Sequence, residues 1–363
     1  MKLDDLYKKA LEFEDLTIDE LLYLYQRAST TDLMFVAFEL RKKHKKDDRF
    51  VGWIIDRNVN ITNICVAGCR FCNFSCSLNE SGGYVTSFDE YRQKVNELFR
   101  LGGDQLLLQG GLNPRLRLSF YIELFSFLKS EFPKLKLHAL GPAEITYLAK
   151  REKLNYYQVL ERLINAGLDS LPGAGAEILS DRVRKIVSPG KCSTQEWLEV
   201  MKVAHELNLP TSATMMFGYI ETLKERIQHL ILIRDLQKQK PKGNYGFITF
   251  VPWTFQKENT ELERLYPNLK EASADEYVRM IAISRIALNN IENIQTSWLT
   301  VGKDIAQITL YGGANDFGSI MIEENVVSAA GANYAMDANE IKQAIKEAGF
   351  IPRRRNQKYE FID

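Results

Sequence analysis

The sequence lacks a net charge, a long apolar run and an apolar N-terminus. Its 47 lysine and arginine residues balance its 47 aspartate and glutamate residues, so no general positive excess attracts nucleic acid or an anionic membrane. No run approaches the roughly 18 apolar residues that a membrane-spanning helix needs. Residues 1–16, MKLDDLYKKALEFEDL, have no apolar core typical of a signal peptide. We therefore expect a cytoplasmic protein with no nucleic-acid partner and no membrane partner.

Cysteine is also scarce, and its few copies are unevenly placed. The chain has 5 cysteines in 363 residues, too few for a disulfide framework at this length. Four of them lie within residues 63–76, NICVAGCRFCNFSC. A reducing compartment keeps thiols free, and clustered free thiols indicate metal or redox chemistry. The fifth, Cys192, precedes a predicted helix, and we expect it to pack in the core.

Between residues 58 and 252, short apolar runs alternate with amphipathic stretches. The runs predict strands at 58–63, 104–110, 135–140, 168–173, 211–218 and 245–252. The stretches predict helices at 87–101, 118–131, 155–166, 193–207 and 221–238. Strands that alternate with helices form βαβ units, and right-handed crossovers place every helix on one side of a curling sheet. We therefore predict the α/β class with a complete or partial TIM-type β/α barrel.

The two ends of the chain flank this barrel. Residues 1–48 show helical periodicity and a capping box formed by Thr17 and Glu20, which predicts an N-terminal helical extension. We assign residues 49–325 to the barrel and residues 326–363 to a C-terminal helical and irregular segment that packs on it. Within that segment we expect Arg353–Arg355 to lie in an exposed tail.

The cysteine segment follows the first predicted strand, at the barrel face where catalytic residues collect. Cys65, Cys69 and Cys72 have the spacing C-x3-C-x2-C, and Cys76 lies outside this triad. Structural zinc prefers two C-x2-C pairs or a mixture of cysteine and histidine, and no histidine lies nearby. Three thiolates can instead hold a [4Fe-4S] cluster and leave one iron open to a small molecule. We favour the iron–sulfur cluster, with a non-catalytic zinc-binding module as the alternative.

The triad, its place after the first barrel strand and the aromatic Phe71 before the third cysteine resemble the radical S-adenosylmethionine (SAM) superfamily. Further segments extend the resemblance over nearly the whole chain, namely LLLQGGLNP, PGAGAEIL, SPGKCSTQEWL, TSATMMFGYIET, FVPWTF, QTSW and GANDFGS. They are similar to the futalosine-pathway and deazaflavin-forming branch, and most of all to its enzymes that cyclise dehypoxanthine futalosine. One departure is Asn73-Phe74 after the third cysteine, where the branch tends to have alanine and phenylalanine.

The resemblance implies how the cofactors bind. The triad would hold a [4Fe-4S] cluster, and SAM would bind its open iron. Gln109, Gly110 and Gly111 occupy the place of a Gly-Gly-Glu-like stretch that receives the methionyl amino group in the superfamily, although the usual acid is missing. A simple turn is the structural alternative for the glycine pair.

Two further residues resemble parts of that cofactor site. Glu177 is similar to the acid that binds the ribose hydroxyls of the cofactor, and a carboxylate can accept two hydroxyl protons at once. Met215, beside Met216 at a strand end, would pack on the adenine. The structural alternatives are a helix-capping acid for Glu177 and core filling for the methionines.

The resemblance also implies an activity in menaquinone biosynthesis. Reduced flavodoxin or ferredoxin would supply an electron, and SAM would yield a 5′-deoxyadenosyl radical. This radical would remove a hydrogen from the ribose of dehypoxanthine futalosine, and the carbon radical would close on the substrate's own aromatic ring. A sibling radical enzyme, either aminofutalosine synthase or the deazaflavin (FO) synthase subunit, is the alternative.

A reactive alkyl radical requires a dry and geometrically tight site. We expect Trp253 and Trp298 to form its wall, unless they only pack in the core. Asn315, in GANDFGS, would donate to the substrate carboxylate, with a glycine-rich turn as the alternative. Glu144 and Asp316 are the predicted acceptors of the proton that is lost at the end.

Overall fold

The computed structural model describes residues 2–45, 47–323, 325–332 and 334–362. The predicted N-terminal extension (1–48), barrel (49–325) and C-terminal segment (326–363) also include a few residues that lie outside the described residues, namely Met1, Lys46, Glu324, Asn333 and Asp363. The helices are α1 (Leu3–Leu11), α2 (Ile18–Arg27), α3 (Thr30–His44), α4 (Phe88–Arg100), α5 (Leu118–Glu131), α6 (Pro142–Glu152), α7 (Tyr156–Ala166), α8 (Asp181–Val187), α9 (Thr194–Glu206), α10 (Leu223–Gln239), α11 (Glu261–Leu265), α12 (Ala274–Ala287), α13 (Trp298–Val301), α14 (Lys303–Leu310) and α15 (Ala338–Glu347). A short 3-10 helix spans Ser328–Ala330.

The strands are β1 (Phe50–Ile54), β2 (Asp56–Asn60), β3 (Gln105–Gln109), β4 (Lys136–Ala139), β5 (Thr211–Phe217), β6 (Phe247–Thr254), β7 (Asn293–Ile294), β8 (Asp316–Ser319) and β9 (Ile351–Arg354). The pairings between them are all parallel in the described ranges, in the orders β8-β1-β9, β2-β3-β4 and β5-β6-β7. A single residue separates β1 from β2, so the two act as one long strand.

Isolated bridges join these three sheets. Ser170 pairs with His138 of β4 and Leu171 pairs with Thr211 of β5, which connects the second sheet to the third. Gln295, the residue after β7, pairs with Asp316 of β8, which connects the third sheet to the first. Strand β8 in turn pairs with β1. The pairings therefore run in a ring of parallel strands with helical crossovers, as the sequence pattern predicts for a TIM-type barrel.

The sequence and the structure differ in the extent of several strands. The predicted strand at 168–173 forms only the two bridges of Ser170 and Leu171. Strands β1, β7, β8 and β9 are absent from the prediction. Strand β7 has only two residues and β8 reads DFGS, which lacks an apolar run. The predicted helices agree with α4, α5, α7, α9 and α10 to within a few residues, and capping boxes formed by Ser87 and Ser193 begin α4 and α9.

The N-terminal helices lie on the outside of the barrel. Helix α3 packs along α12, and α2 packs against α10 and α12. Arg41 of α3 is buried and donates to the carbonyl oxygens of Leu310 and Asp48, both at 2.8 Å. The division at residues 48 and 325 stays a prediction. Among the described helices, none is both long and apolar enough to cross a membrane.

The C-terminal segment reaches the amino-terminal end of the barrel. Strand β9 pairs with β1, from Phe50 opposite Ile351 to Trp53 opposite Arg354. This pairing draws the following residues under the ring, and Arg355 is only 5% exposed. The expectation of an exposed tail at Arg353–Arg355 is therefore wrong for Arg355, because a buried carboxylate in β8 neutralises its charge.

Candidate active site

The cysteine loop leaves the carboxyl end of β2 and is closed at its base. Cys65 N–H donates to the Cys76 carbonyl at 3.0 Å, and Cys76 N–H donates to the Asn63 carbonyl at 2.8 Å. The Cys76 thiol donates to the Ser77 carbonyl at 3.5 Å. Cys76 thus takes part in closing the loop, and the other three cysteines lie in the arc between its ends.

The first thiol of the triad is surrounded by backbone donors. Cys65 Sγ accepts hydrogen bonds from the backbone N–H groups of Ala67 at 3.4 Å and of Leu112 at 3.2 Å. Burial raises the pKa of this thiol, while the two N–H donors act in the opposite direction. These donors favour the thiolate, the form that binds metals.

The second thiol is more deeply buried. Burial raises the pKa of Cys69 to about 12, opposed by the charge of Lys191 and reinforced by Glu177 and the other two thiols. The mutual influence of the three thiols shows that the triad occupies one small region. Binding of a metal cluster would release the thiol protons, since only thiolates are ligands.

Lys191 is a site residue that the sequence prediction missed. The loop Ser188–Lys191 docks on the cysteine loop, where Gly190 N–H donates to the Ala67 carbonyl at 2.9 Å. A Cβ atom on Gly190 would lie 2.6 Å from that oxygen, so only glycine allows this approach. Lys191 Nζ then lies 2.7 Å from Glu177 Oε1. The lysine after the SPG turn is the signal that could have found it.

Glu177 combines a strained backbone with an unused oxygen. Its φ is +40°, in the left-handed region, and its side chain is 5% exposed. Oε1 binds Lys191, but Oε2 has no hydrogen-bond partner among the described residues. A buried carboxylate oxygen without a donor is costly, and strain of this kind collects at ligand sites. The carboxylate is therefore suited to receive a hydroxyl or another donor of a ligand.

The glycine pair after β3 lies against the cysteine loop. Gly111 N–H donates to the Thr62 carbonyl at 2.8 Å. A Cβ atom on Gly111 would lie 2.2 Å from the Ile64 carbonyl oxygen and 2.7 Å from Cys65 Cβ. Gln109, one residue before the pair, lines the barrel cavity. The backbone around Gly110 thus adjoins the triad, as its predicted part in cofactor binding requires.

A cavity of about 360 Å³ occupies the barrel interior. Alternate strand residues face it, as the period of two requires. We call the part of the cavity near the carboxyl ends of the strands the upper chamber, and it is lined by Phe71, Gln109, Glu177, Lys191, Trp253 and Trp298. We call the part near the amino ends of the strands the lower chamber, and it is lined by Asp56, Asn58, Gln105, His138, Ser212, Thr249, Gln295, Ser319, Arg355, Gln357 and Tyr359.

The C-terminal segment forms the floor of the lower chamber. Arg355 binds both carboxylate oxygens of Asp316, with Nε at 2.5 Å and Nη2 at 2.9 Å. Gln357 Nε2 lies 3.0 Å from His138 Nδ1 and 2.5 Å from Ser170 Oγ. Burial, together with the charge of Arg355, lowers the pKa of His138 to about 3, so this ring is neutral.

The structure brings most of the predicted site residues together, and both predicted tryptophans line the upper chamber. Met215 is an exception. In β5 the cavity is lined by Ser212 and Thr214, and the alternation of the strand turns Met215 toward the opposite face. Met215 is fully buried in the core there, so the prediction that it packs on the adenine is not supported.

Asn315 and Asp316 also do not line the cavity. Asn315 Oδ1 accepts from Arg285 Nη2 at 2.8 Å and from Ile294 N–H at 2.9 Å, and its amide donates to Asn293 Oδ1 at 3.0 Å. Its hydrogen bonds are thus made within the protein rather than to a substrate. Asp316 is likewise bound by Arg355, so its predicted role as a proton acceptor stays a prediction and would require this ion pair to open.

Glu144 begins α6 beside the glycine pair. The residue is 8% exposed and is not part of the cavity lining. Burial raises the pKa of its carboxyl to about 7, opposed by Lys191 and by backbone donors that include Gly110 N–H. The predicted proton acceptor is therefore near the triad and titrates close to neutrality.

The raised pKa of Glu144 predicts a pH-dependent stability. The unfolded chain loses this proton near pH 4.5 and the folded chain near pH 7, so stability falls as the pH rises between these values. At about 1.4 kcal/mol per pH unit, the loss is about 3 kcal/mol. Glu144→Gln should narrow the difference in urea midpoint between pH 5 and pH 8, whereas Glu123→Gln, at an exposed position of α5, should not. An unchanged difference in Glu144→Gln would contradict the assignment.

Comparison with known proteins identifies the family. Residues 59–233 match the family model of the Radical SAM superfamily, and residues 244–363 match the CofH/MqnC C-terminal region. A protein of Streptomyces coelicolor named cyclic dehypoxanthine futalosine synthase is 40% identical over 349 residues, covering 96% of this chain and 86% of that protein. The chain belongs to the radical SAM superfamily.

Other relatives also span most of the chain. A cyclic dehypoxanthine futalosine synthase of Halalkalibacterium halodurans is 37% identical and covers 100% of this chain and 95% of its own length. A protein of Archaeoglobus fulgidus named 5-amino-6-(D-ribitylamino)uracil–L-tyrosine 4-hydroxyphenyl transferase is 38% identical, covering 90% of this chain and 93% of that protein.

Solved structures confirm the fold. The maturase HydG from Carboxydothermus hydrogenoformans superimposes with a TM-score of 0.76 at 16% identity, covering 98% of this chain and 80% of that chain. Methylornithine synthase (PylB) gives a TM-score of 0.71 at 20% identity, with 96% and 97% coverage. At these identities the likeness concerns only the fold, which is the predicted TIM-type barrel.

The expected cofactors are confirmed by membership of the radical SAM superfamily, which uses a [4Fe-4S] cluster and SAM. The residues present fit them. The cysteine loop carries three thiols, and one of them, Cys65, accepts hydrogen bonds from two backbone N–H groups. Lys191 binds Glu177 Oε1, and Glu177 Oε2 has no hydrogen-bond partner among the described residues. Among the described residues, no three histidine, cysteine, aspartate or glutamate side chains converge on a single metal ion. The assignment of individual ligands stays a prediction.

Proposed function

We propose that this radical SAM protein converts dehypoxanthine futalosine to its cyclic product in menaquinone biosynthesis, as the names of its relatives from Streptomyces and Halalkalibacterium describe for those proteins. The reaction removes one hydrogen atom from the ribose, forms a carbon–carbon bond to the aromatic ring, and releases one proton and one electron. The observation that carries the proposal is a cysteine triad whose loop, through Phe71, helps to line a barrel cavity together with Trp253 and Trp298.

When bound, the cluster and SAM supply a 5′-deoxyadenosyl radical, and the chain must hold the substrate beside it and exclude water. Cys65, Cys69 and Cys72 would hold the cluster. Gln109 and the backbone of Gly110 and Gly111 would receive the methionyl group, where they adjoin the cysteine loop. These assignments are supported by the close contact between the glycine pair and Cys65.

The remaining parts of the site have distinct tasks. Glu177 Oε2, which has no partner among the described residues, would accept hydrogen bonds from the ribose hydroxyls of SAM, while Lys191 forms a salt bridge with Oε1. Trp253 and Trp298 would enclose the substrate ring in the upper chamber. Glu144 stays our proposal for the proton acceptor, because a carboxyl that titrates near neutrality can take up a proton and pass it on.

We propose reduced flavodoxin or ferredoxin as the electron donor and the cytoplasm as the location. The triad cysteines are partly exposed, and Val66 between them is 48% exposed. A protein surface that carries a redox centre can therefore approach the loop closely, as electron transfer requires.

The proposal is tested with anaerobically reconstituted protein, SAM and dithionite. Dehypoxanthine futalosine should be consumed, with 5′-deoxyadenosine and a cyclic product that has lost two hydrogens. A parallel reaction contains L-tyrosine and 5-amino-6-(D-ribitylamino)uracil, the compounds in the name of the Archaeoglobus relative. Turnover of that pair, with no loss of dehypoxanthine futalosine, would assign the chain to the sibling activity instead.

Trp253 gives a prediction about how tightly the substrate is held. Trp253→Ala removes a wall of the upper chamber, and small misplacements of a reacting atom cost about 10²-fold in rate. Cyclic product should fall by about that factor, while 5′-deoxyadenosine formation falls much less. The ratio of the two products by liquid chromatography measures this uncoupling. Tyr157→Ala, at an exposed aromatic residue, is the control and should keep the wild-type ratio.

A further inference from the structure

The lower chamber contains amide groups without partners. Asn58 and Gln105 are each 4% exposed, yet Asn58 Oδ1 and Gln105 Oε1 have no hydrogen-bond partner among the described residues. Gln105 Nε2 donates to Asp56 Oδ2 at 3.1 Å, which orients the amide with its oxygen free. Buried polar groups left unpaired are costly, so two on neighbouring strands indicate a place for a ligand.

These groups lie at the level of the first inward-facing residues of the ring. Asp56 is opposite Gln105, and Asn58 is opposite Leu107, two residues further up. His138, paired with Leu107, lies at the same level as Asn58. Gln357, from the C-terminal segment, has a buried Oε1 that is also without a partner. Asn58, Gln105 and Gln357 therefore all line one chamber, and each has a buried amide oxygen that a hydrogen-bond donor of an occupant would satisfy.

From this arrangement we propose that the lower chamber is a hydroxyl-binding subsite that holds the sugar end of the substrate through Asn58, Gln105 and Asp56. The proposal rests on the proposed function and assigns an orientation within it, with the sugar hydroxyls toward the floor and the aromatic ring toward Trp253 and Trp298. Hydroxyls suit this chamber because each can donate to an amide or carboxylate oxygen and accept from an amide N–H.

The charges of the lower chamber disfavour the opposite orientation, which would place the substrate's carboxylate there. Arg355 is the cation on the floor, and Asp316 occupies its Nε and Nη2. Asp56 adds a second carboxylate, bound to the Ser319 hydroxyl. Lys191 belongs to the upper chamber and is paired with Glu177. A third anion beside two carboxylates and one guanidinium would be repelled.

The upper chamber suits a flat ring. Trp298 Nε1 donates to the Ser319 carbonyl at 3.1 Å, which fixes the orientation of the indole, and Trp253 faces the same space from β6. Aromatic side chains held in this way provide large contact areas for another ring. The reacting ribose carbon would then lie between the chambers, below the cysteine loop.

The test compares dehypoxanthine futalosine with an analogue that lacks one ribose hydroxyl. In the wild-type enzyme, kcat/KM should fall by at least about tenfold for the analogue, because buried amides lose their partner. In Asn58→Leu and Gln105→Leu this preference should shrink to less than about threefold. Asn96→Leu, at an exposed asparagine of α4, should keep the full preference. Calorimetric binding of both compounds to the unreduced enzyme gives a readout independent of turnover.

The outcomes separate this proposal from the proposed function. No turnover of the parent compound would overturn the proposed function. Turnover of the parent and of the hydroxyl-deleted analogue at equal efficiency by the wild-type enzyme would overturn the subsite alone, without any variant. A third compound, the methyl ester of the aromatic carboxylate, tests orientation. The contrary result is that Asn58→Leu reduces the ratio of kcat/KM between the parent compound and the ester, and leaves the ratio between the parent compound and the hydroxyl-deleted analogue unchanged. That result would show that the carboxylate lies in the lower chamber and that the orientation is reversed.

Discussion

Cys69→Ala is expected to lose both its bound iron and its activity, to the detection limit of each assay. Cys69 is the central member of the triad, and burial raises the pKa of its thiol to about 12. The two thiols that remain, Cys65 and Cys72, cannot hold a cubic cluster, which usually has four ligands and would have three from the protein if the predicted triad binds it. Iron and sulfide content, with visible absorption after anaerobic reconstitution, measures the first loss, and 5′-deoxyadenosine formation measures the second.

Cys76→Ala is the matched control for this prediction. Cys76 lies in the same loop, but its thiol contacts the Ser77 carbonyl and its structural part is played by its backbone, which alanine retains. The variant should keep wild-type iron content and activity. Iron retained in Cys69→Ala, or lost in Cys76→Ala, would show that the ligand set is different. A colourless wild-type protein that contains zinc and no iron would instead support the zinc-binding alternative.

The triad and the barrel could be predicted from sequence because both depend on local spacing. Cysteines three and four residues apart must share a loop, and apolar runs that alternate with amphipathic stretches must form crossovers. Ser87 and Ser193 mark helix starts for the same local reason, and the structure has capping boxes at both. Local rules of this kind place the cysteine loop at the correct end of the barrel.

The remaining parts of the site depend on long-range register. The sequence predicts that Met215 packs on the adenine, but whether Met215 or Thr214 faces the cavity depends on how β5 pairs with its neighbours. Arg355 was assigned to a solvated tail because three consecutive arginines are usually exposed. Its burial depends on Asp316, 39 residues earlier, and on the pairing of β9 with β1. No single segment carries that information.

Asp316→Ala is expected to lower the free energy of unfolding by about 3–5 kcal/mol, the usual effect of removing one member of a buried ion pair. Asp316 is fully buried and Arg355 nearly so, and two hydrogen bonds of 2.5 and 2.9 Å join them. Without the carboxylate, the guanidinium would stay buried beneath the barrel with neutral partners, which include the Gln295 amide oxygen, the Asn356 carbonyl and the ring and hydroxyl of Tyr359. Urea unfolding followed by circular dichroism measures the loss.

The double variant Asp316→Leu/Arg355→Met separates charge from packing. Removing both charges together leaves no unpaired ion, so this variant should be more stable than Asp316→Ala and should recover most of the about 3–5 kcal/mol that the single change costs. The same pair of variants decides between the structural role of Asp316 and the catalytic role that its sequence position suggested. A structural role predicts that the double variant recovers stability and much of the 5′-deoxyadenosine formation. If Asp316→Asn keeps wild-type stability but loses cyclic product, Asp316 acts in catalysis, and the pairing with Arg355 must open during the reaction.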